Sequence, residues 1–170
     1  MPAAMDAEYW IRKLGLTEHP EGGYFAPAYR SRELLDKGCL PERFPGARAV
    51  VSSIHYLLVK GQFSAFHRIK SVEFWQFCTG SPLILHVLDK EGNLAEVRLG
   101  GNPEQGELFQ RVVEPGCWFG AEVSGPDGYS LVNCIVAPGF DFEDFELARR
   151  EELVSLHPRH RMAIERLTRS

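Results

Sequence analysis

The stretch from Gly61 to Gly80 constrains the fold more than any other part of this chain. It runs as a glycine, five residues, His67, a glutamate at position 73, then six residues and a second glycine. Side chains alternate between the two faces of a strand, so His67 shares a face with Ile69, and Glu73 with Trp75 and Phe77. A turn near 70–72 then predicts two adjacent strands projecting an imidazole and a carboxylate into one apolar, aromatic-lined cavity. Gly61 and Gly80 fall where a turn requires positive φ or a close backbone approach. The plainer alternative is an ordinary hairpin with His67 and Glu73 partly exposed.

Short apolar runs with turn residues between them surround this stretch. Strands are expected over 49–59, 62–68, 73–79, 83–89, 94–99, 108–113, 118–123 and 130–136. Asp89 to Asn93, Glu114-Pro115-Gly116 and Gly125 to Gly128 supply connections. Many short strands at this spacing point to a sandwich or barrel rather than to alternating strands and helices, and this number suits a jelly roll. A short helix is expected over 6–14, stopped by Gly15, and two more over 148–156 and 158–167. Between them, Phe140, Phe142 and Phe145 alternate with acids and suggest an aromatic clasp folded back on the barrel. A chain of 170 residues, 44% hydrophobic, reads as one domain, with a core over about 8–147 and a helical tail over 148–168.

Net charge is −4 with acids and bases interspersed, so no basic face points to nucleic acid or a membrane surface. With no long apolar run and no basic leader followed by an apolar segment, a cytoplasmic protein is expected. Cys39, Cys78, Cys117 and Cys134 lie far apart and read as free thiols. The last three sit in strand-like contexts where a thiol packs as a small hydrophobe.

The Gly61–Gly80 spacing resembles the first motif of the cupin superfamily, with Ile69 where a second histidine usually stands. The second motif is similar around Gly116, which puts Phe119 at its histidine position and Glu114 at its proline. Three further segments resemble one subgroup, the cupin-5 family (domain of unknown function 985), over about residues 8–168. They are His19-Pro20-Glu21-Gly22-Gly23-Tyr24 with Tyr29-Arg30-Ser31, then Phe63 to Arg68, then Ala137 to Glu146. The resemblance implies a mainly β, double-stranded β-helix (jelly-roll) barrel with a short N-terminal helix and C-terminal helices. It also implies a homodimer, and a small-molecule ligand such as a sugar or small carbonyl compound.

Cupins frequently hold a divalent metal such as Zn, Fe, Mn or Ni. Here the resemblance leaves only His67 and Glu73 as matching ligands, since isoleucine and phenylalanine coordinate nothing. Catalytic sites generally need three protein ligands, and His55 or His86 would be the third only if its strand faces inward. Without a metal, His67 is a candidate base, with Glu73 orienting it and Tyr24 assisting. Some cupin-like barrels are metal-independent epimerases that use a histidine in this way. Glu21, Gly22 and Gly23 are candidates for the other half of the pocket, and the paired glycines would let backbone approach a ligand or another strand. Arg30 is a candidate anion clamp, or else a partner of the acidic 141–146 segment. Trp75, Phe77, His86 and Trp118 complete the candidate ligand-binding set. Three functions remain open: an isomerase- or epimerase-like enzyme, a metal-dependent oxygenase or isomerase, and a binding module without chemistry.

Overall fold

A computed structural model describes residues 5–125 and 128–169. Helix α1 (Ala7–Leu14) starts where the Asp6 side chain accepts a hydrogen bond from the Tyr9 backbone N–H, and it ends at Gly15 in the left-handed region. The strands follow as β1 (Thr17–Glu18), β2 (Tyr24–Arg30), β3 (Leu34–Leu35), β4 (Arg48–Ala49), β5 (Ser52–Val59), β6 (Phe63–Arg68) and β7 (Val72–Gly80). After them come β8 (Leu83–Leu88), β9 (Leu94–Leu99), β10 (Gln110–Val113), β11 (Trp118–Val123), β12 (Tyr129–Ala137) and β13 (Glu146–Leu147). Helices α2 (Arg150–Leu156) and α3 (Arg161–Arg166) end the chain. Residues 126 and 127 of the expected Gly125–Gly128 turn lie outside the described residues.

Two antiparallel sheets face each other. One has the order β1-β2-β5-β12-β7-β10 and the other β13-β6-β11-β8-β9. Strands β6 and β7 therefore do not pair: the turn between them carries the chain from one sheet to the other. His67 and Glu73, expected on adjacent strands, instead approach across the barrel.

Alternation explains why so many residues of β5 are apolar. Tyr56 and Leu58 face the main core between the sheets, with Trp75, Leu85, Phe119 and Val132. Leu57 points the other way, into a cluster closed by Trp10, Ile11 and Leu14 of α1. On the far side, Phe66 and Leu88 turn outward under Leu153, Val154, Ile164 and Leu167 of the C-terminal segment. Covering helices thus bury the outer face of β5 and β12 in one sheet and of β6 and β8 in the other, and the sequence there reads as near-continuous apolar runs.

Candidate functional site

A cavity of about 190 Å³ opens at one end of the barrel. Phe25, Ile54, Ile69, Val136, Phe140 and Phe145 form most of its wall, while Tyr29, Arg30 and Phe142 stand exposed at the mouth. Inside are His19, Glu21, His67 and Glu73.

Glu21 enters through a tight turn between β1 and β2. The Gly22 N–H donates to the His19 carbonyl (2.9 Å), and the His19 N–H to the Gly23 carbonyl (2.9 Å). Gly22 and Gly23 have φ of 112° and 71°. A Cβ on Gly22 would lie 2.2 Å from the Phe63 carbonyl oxygen, and one on Gly23 2.7 Å from that of Leu57. The paired glycines therefore serve close packing on neighbouring backbone rather than ligand contact, and the turn swings Glu21 into the cavity. The Ala65 N–H donates to the Glu21 carbonyl (2.8 Å), locking the turn to β6.

Strand β6 is irregular where it pairs with β11: Phe119 faces His67 but Ala121 faces Ser64, so β6 carries one extra residue. Such a bulge turns side chains that would otherwise alternate towards a common target. The Ser64 hydroxyl donates to Glu21 Oε1 (2.9 Å), and His67 Nε2 lies 3.0 Å from Glu21 Oε2. His67 Nδ1 is 2.7 Å from the Ala65 carbonyl oxygen. A carbonyl accepts only, so Nδ1 carries a proton, and Nε2 facing a carboxylate carries one too. Burial alone would lower the His67 pKa, but the Glu21 charge and hydrogen bond, the Glu73 charge and the Ala65 carbonyl together outweigh it, and the net shift is upward. Burial would raise Glu21, yet His67 and the Ser64 hydroxyl hold it below the ordinary range. The two form a buried imidazolium–carboxylate pair.

Glu73 has no such partner. It is buried, and desolvation together with the neighbouring Glu21 charge pushes it up to about 8, with His67 opposing. His19 is different again: its Nδ1 accepts the Glu21 backbone N–H (3.2 Å), which leaves the proton on Nε2. Burial lowers its pKa, so the ring is neutral. The Nε2–H has no partner among the described residues, and the ring lines the cavity.

The structure brings His67, Glu73, Glu21 and Arg30 together and sets other candidates apart. Tyr24 packs with Leu16, Leu57 and Leu131 on the outer face of its sheet, because alternation along β2 turns Phe25, not Tyr24, inward. Trp75 is fully buried behind the wall, its ring 5.6 Å from Tyr56 and 6.1 Å from Phe119, and Phe77 packs on that same core. Trp118 lies on the helix-covered side, under the Arg68 guanidinium at 4.4 Å. His86 faces away from the cavity, between Glu96 (3.3 Å) and Glu122 (3.0 Å). His55 bonds Asn133 (2.7 Å) and does not line the cavity either. Glu21, not Glu73, pairs with His67. Cys134 reaches the cavity wall, whereas Cys78 is exposed, where packing had been expected. His19 was missed because a histidine before Pro20 carries no signal of facing a barrel, and Ser64 because a bulge cannot be read from alternation.

These donors do not fit a resident metal ion. Both His67 ring nitrogens are engaged, Ile69 and Phe119 stand where further ligands would be needed, and Glu73 keeps a proton near neutrality. Among the described residues no three His, Cys, Asp or Glu side chains are grouped to hold a cation.

Two facing antiparallel sheets around a cavity with an inward histidine and glutamate define a cupin-type barrel. The family model described as "Cupin superfamily (DUF985)" matches residues 8–148, and the chain belongs to that family. A hypothetical protein from Leishmania major is 36% identical with a TM-score of 0.89, over 97% of this chain and 99% of that one. A protein from Shewanella oneidensis is 38% identical with a TM-score of 0.87, over 96% and 98%. Oxalate decarboxylase from Bacillus subtilis, at 13% identity and a TM-score of 0.53 over 88% of this chain and 36% of that one, shares the fold alone. No curated protein sequence matches significantly.

Proposed function

We propose that the cavity binds a small carbonyl compound and moves a proton on the carbon beside the carbonyl, as an isomerase or epimerase does. One observation carries this reading: Glu73 is a carboxyl buried in an apolar cavity without a cation of its own, and desolvation pushes its pKa up to about 8. A general base works best with a pKa near the working pH, and burial is the usual way to bring a glutamate there. Glu73 in its ionised fraction takes the proton from carbon and returns it. The neutral His19 donates its Nε2–H to the carbonyl oxygen, where negative charge develops. The Glu21–His67 pair positions the turn that carries His19. His67 is thus not the base, since both of its nitrogens already hold protons.

Deuterium uptake from heavy water by a panel of sugars and small ketones tests the reading by NMR. Wild-type protein is expected to exchange the proton beside the carbonyl, at a rate rising as pH passes through about 8. Glu73→Gln is expected to lose roughly a hundredfold or more. Ligands that raise the melting temperature without any exchange would replace this reading by a binding module without chemistry. We infer also that two copies associate through the apolar rim of the mouth.

A further inference from the structure

The charges around the cavity are unevenly compensated, and the imbalance describes the ligand. Within the cavity, Glu21 and His67 neutralise each other, His19 is neutral, and Glu73 holds a proton at neutral pH. The acids of the clasp are also engaged. Asp144 and Glu143 bind Arg48 at 2.7 and 3.2 Å. Asp141 accepts the Glu143 backbone N–H at 2.9 Å, and its charge also acts on Arg48. Arg30 stands at the mouth, and its Nη1 donates to the Phe140 carbonyl at 2.7 Å. That bond fixes the plane of the guanidinium and uses one of its five N–H groups. No carboxylate pairs with Arg30 among the described residues. Ser52 lies across from Arg30 on β5 and lines the cavity on the same face, its hydroxyl accepting the Phe140 N–H at 2.9 Å.

Resting on the proton-transfer reading, we infer that the ligand is a small monocarboxylate with an apolar, planar body. Its carboxylate lies at the mouth on the Arg30 fork, and its carbonyl at the buried end near Glu73 and His19. One uncompensated cation matches one negative charge, and a planar fork suits a carboxylate. A second negative charge, as on a phosphate ester, would find no further unpaired cation in the lining. Phe25, Phe140, Phe142 and Phe145 provide flat faces for the body. A cavity of about 190 Å³ is somewhat larger than the roughly 150 Å³ that admits benzene, so the buried part is a ring and a few further atoms.

Calorimetric titration with benzoate, phenylacetate, 3-phenylpropanoate and 4-oxo-4-phenylbutanoate tests this, each against its uncharged primary amide. At least one acid is expected to bind tenfold or more tighter than its amide. Arg30→Gln should abolish that preference, and Arg30→Lys should restore part of it, with the melting temperature confirming that each variant folds. Equal affinity for acid and amide, an acid preference that survives Arg30→Gln, or no binding across the series would overturn the inference. Deuterium exchange into 4-oxo-4-phenylbutanoamide, which lacks the carboxylate, reads the proton-transfer chemistry separately. Charge recognition without exchange would leave the ligand class standing and remove the reaction.

Discussion

Glu21 and Glu73 carry the same side chain in the same cavity, yet their environments push them in opposite directions. Desolvation raises both, and only Glu21 has an imidazolium and a hydroxyl close enough to reverse it. The consequence for stability follows from proton linkage. A folded pKa of about 8 against an ordinary 4.5 means that, between those values, native Glu73 holds a proton which the unfolded chain has released. Stability therefore falls as pH rises across that window. Glutamine mimics the protonated acid, so Glu73→Gln is expected to remove this slope. Urea unfolding at pH 5, 7 and 9 should find the variant gaining on the wild type as pH rises, and parallel profiles would count against a buried acidic Glu73. The Glu21–His67 pair acts oppositely at its two ends. The Glu21 contribution is lost as pH falls below 4.5, and that of His67 as pH rises past its own raised value. At this scale the sequence revealed His67, Glu73, Glu21 and Arg30 as candidates but not their pairing. Which carboxylate meets His67 depends on the docking of the Glu21 turn onto β6, a contact between segments far apart in the chain.

The clasp over 138–146 is the element that shapes the mouth, and its anchorage is unequal. Its aromatic residues pack together, with Phe140 5.1 Å from Phe142 and 6.1 Å from Phe145. The Gly139 N–H donates to the Ala49 carbonyl (2.7 Å), and the Phe140 N–H to the Ser52 hydroxyl (2.9 Å). Arg48 grips Asp144 with two bonds, of 2.7 and 2.9 Å, and both side chains are buried. Its third acidic contact, Glu143, is 67% exposed. Removing one member of a buried pair strands the other charge, at a cost of about 3–5 kcal/mol, whereas an exposed contact contributes about 0–1 kcal/mol. Asp144→Ala is therefore expected to lower unfolding free energy several times more than Glu143→Ala. Denaturant titration of both variants checks the contrast, and equal losses would mean that the clasp is held by its aromatics alone. The alternation of Phe140, Phe142 and Phe145 with acids predicted the clasp. Its anchor at Arg48 gave no signal in the sequence, because a buried arginine is recognisable only with its partner in place.

At the scale of the molecule, periodicity carried the fold: 94–99 and 118–123 match β9 and β11, and the other expected core strands shift by only a few residues. What periodicity could not carry is which strands share a sheet, and hence that β6 and β7 oppose each other. The same architecture leaves one boundary unfinished. β1 pairs with β2 only at Tyr24 and Phe25, so the outer edge of β2 beyond Phe25 is open. Pro27 lacks an N–H there, which limits ladder pairing without covering the apolar surface. Beside this edge lie Tyr29 (58% exposed), Leu34 (64%) and Phe142 (61%), with Val50 between β4 and β5 also exposed. They are linked through the β3–β4 pairing and the Arg30–Phe140 bond. An exposed apolar patch of this kind is a surface that a two-fold partner would bury. Light scattering is expected to give twice the chain mass of 19.2 kDa. Leu34→Glu, on the rim but outside the cavity lining, is expected to give the single-chain mass with an unchanged circular dichroism spectrum. A wild-type monomer at micromolar concentration would mean that this rim meets only solvent. A dimer indifferent to Leu34→Glu would move the interface elsewhere, with the open mouth then free of any constraint from a second copy.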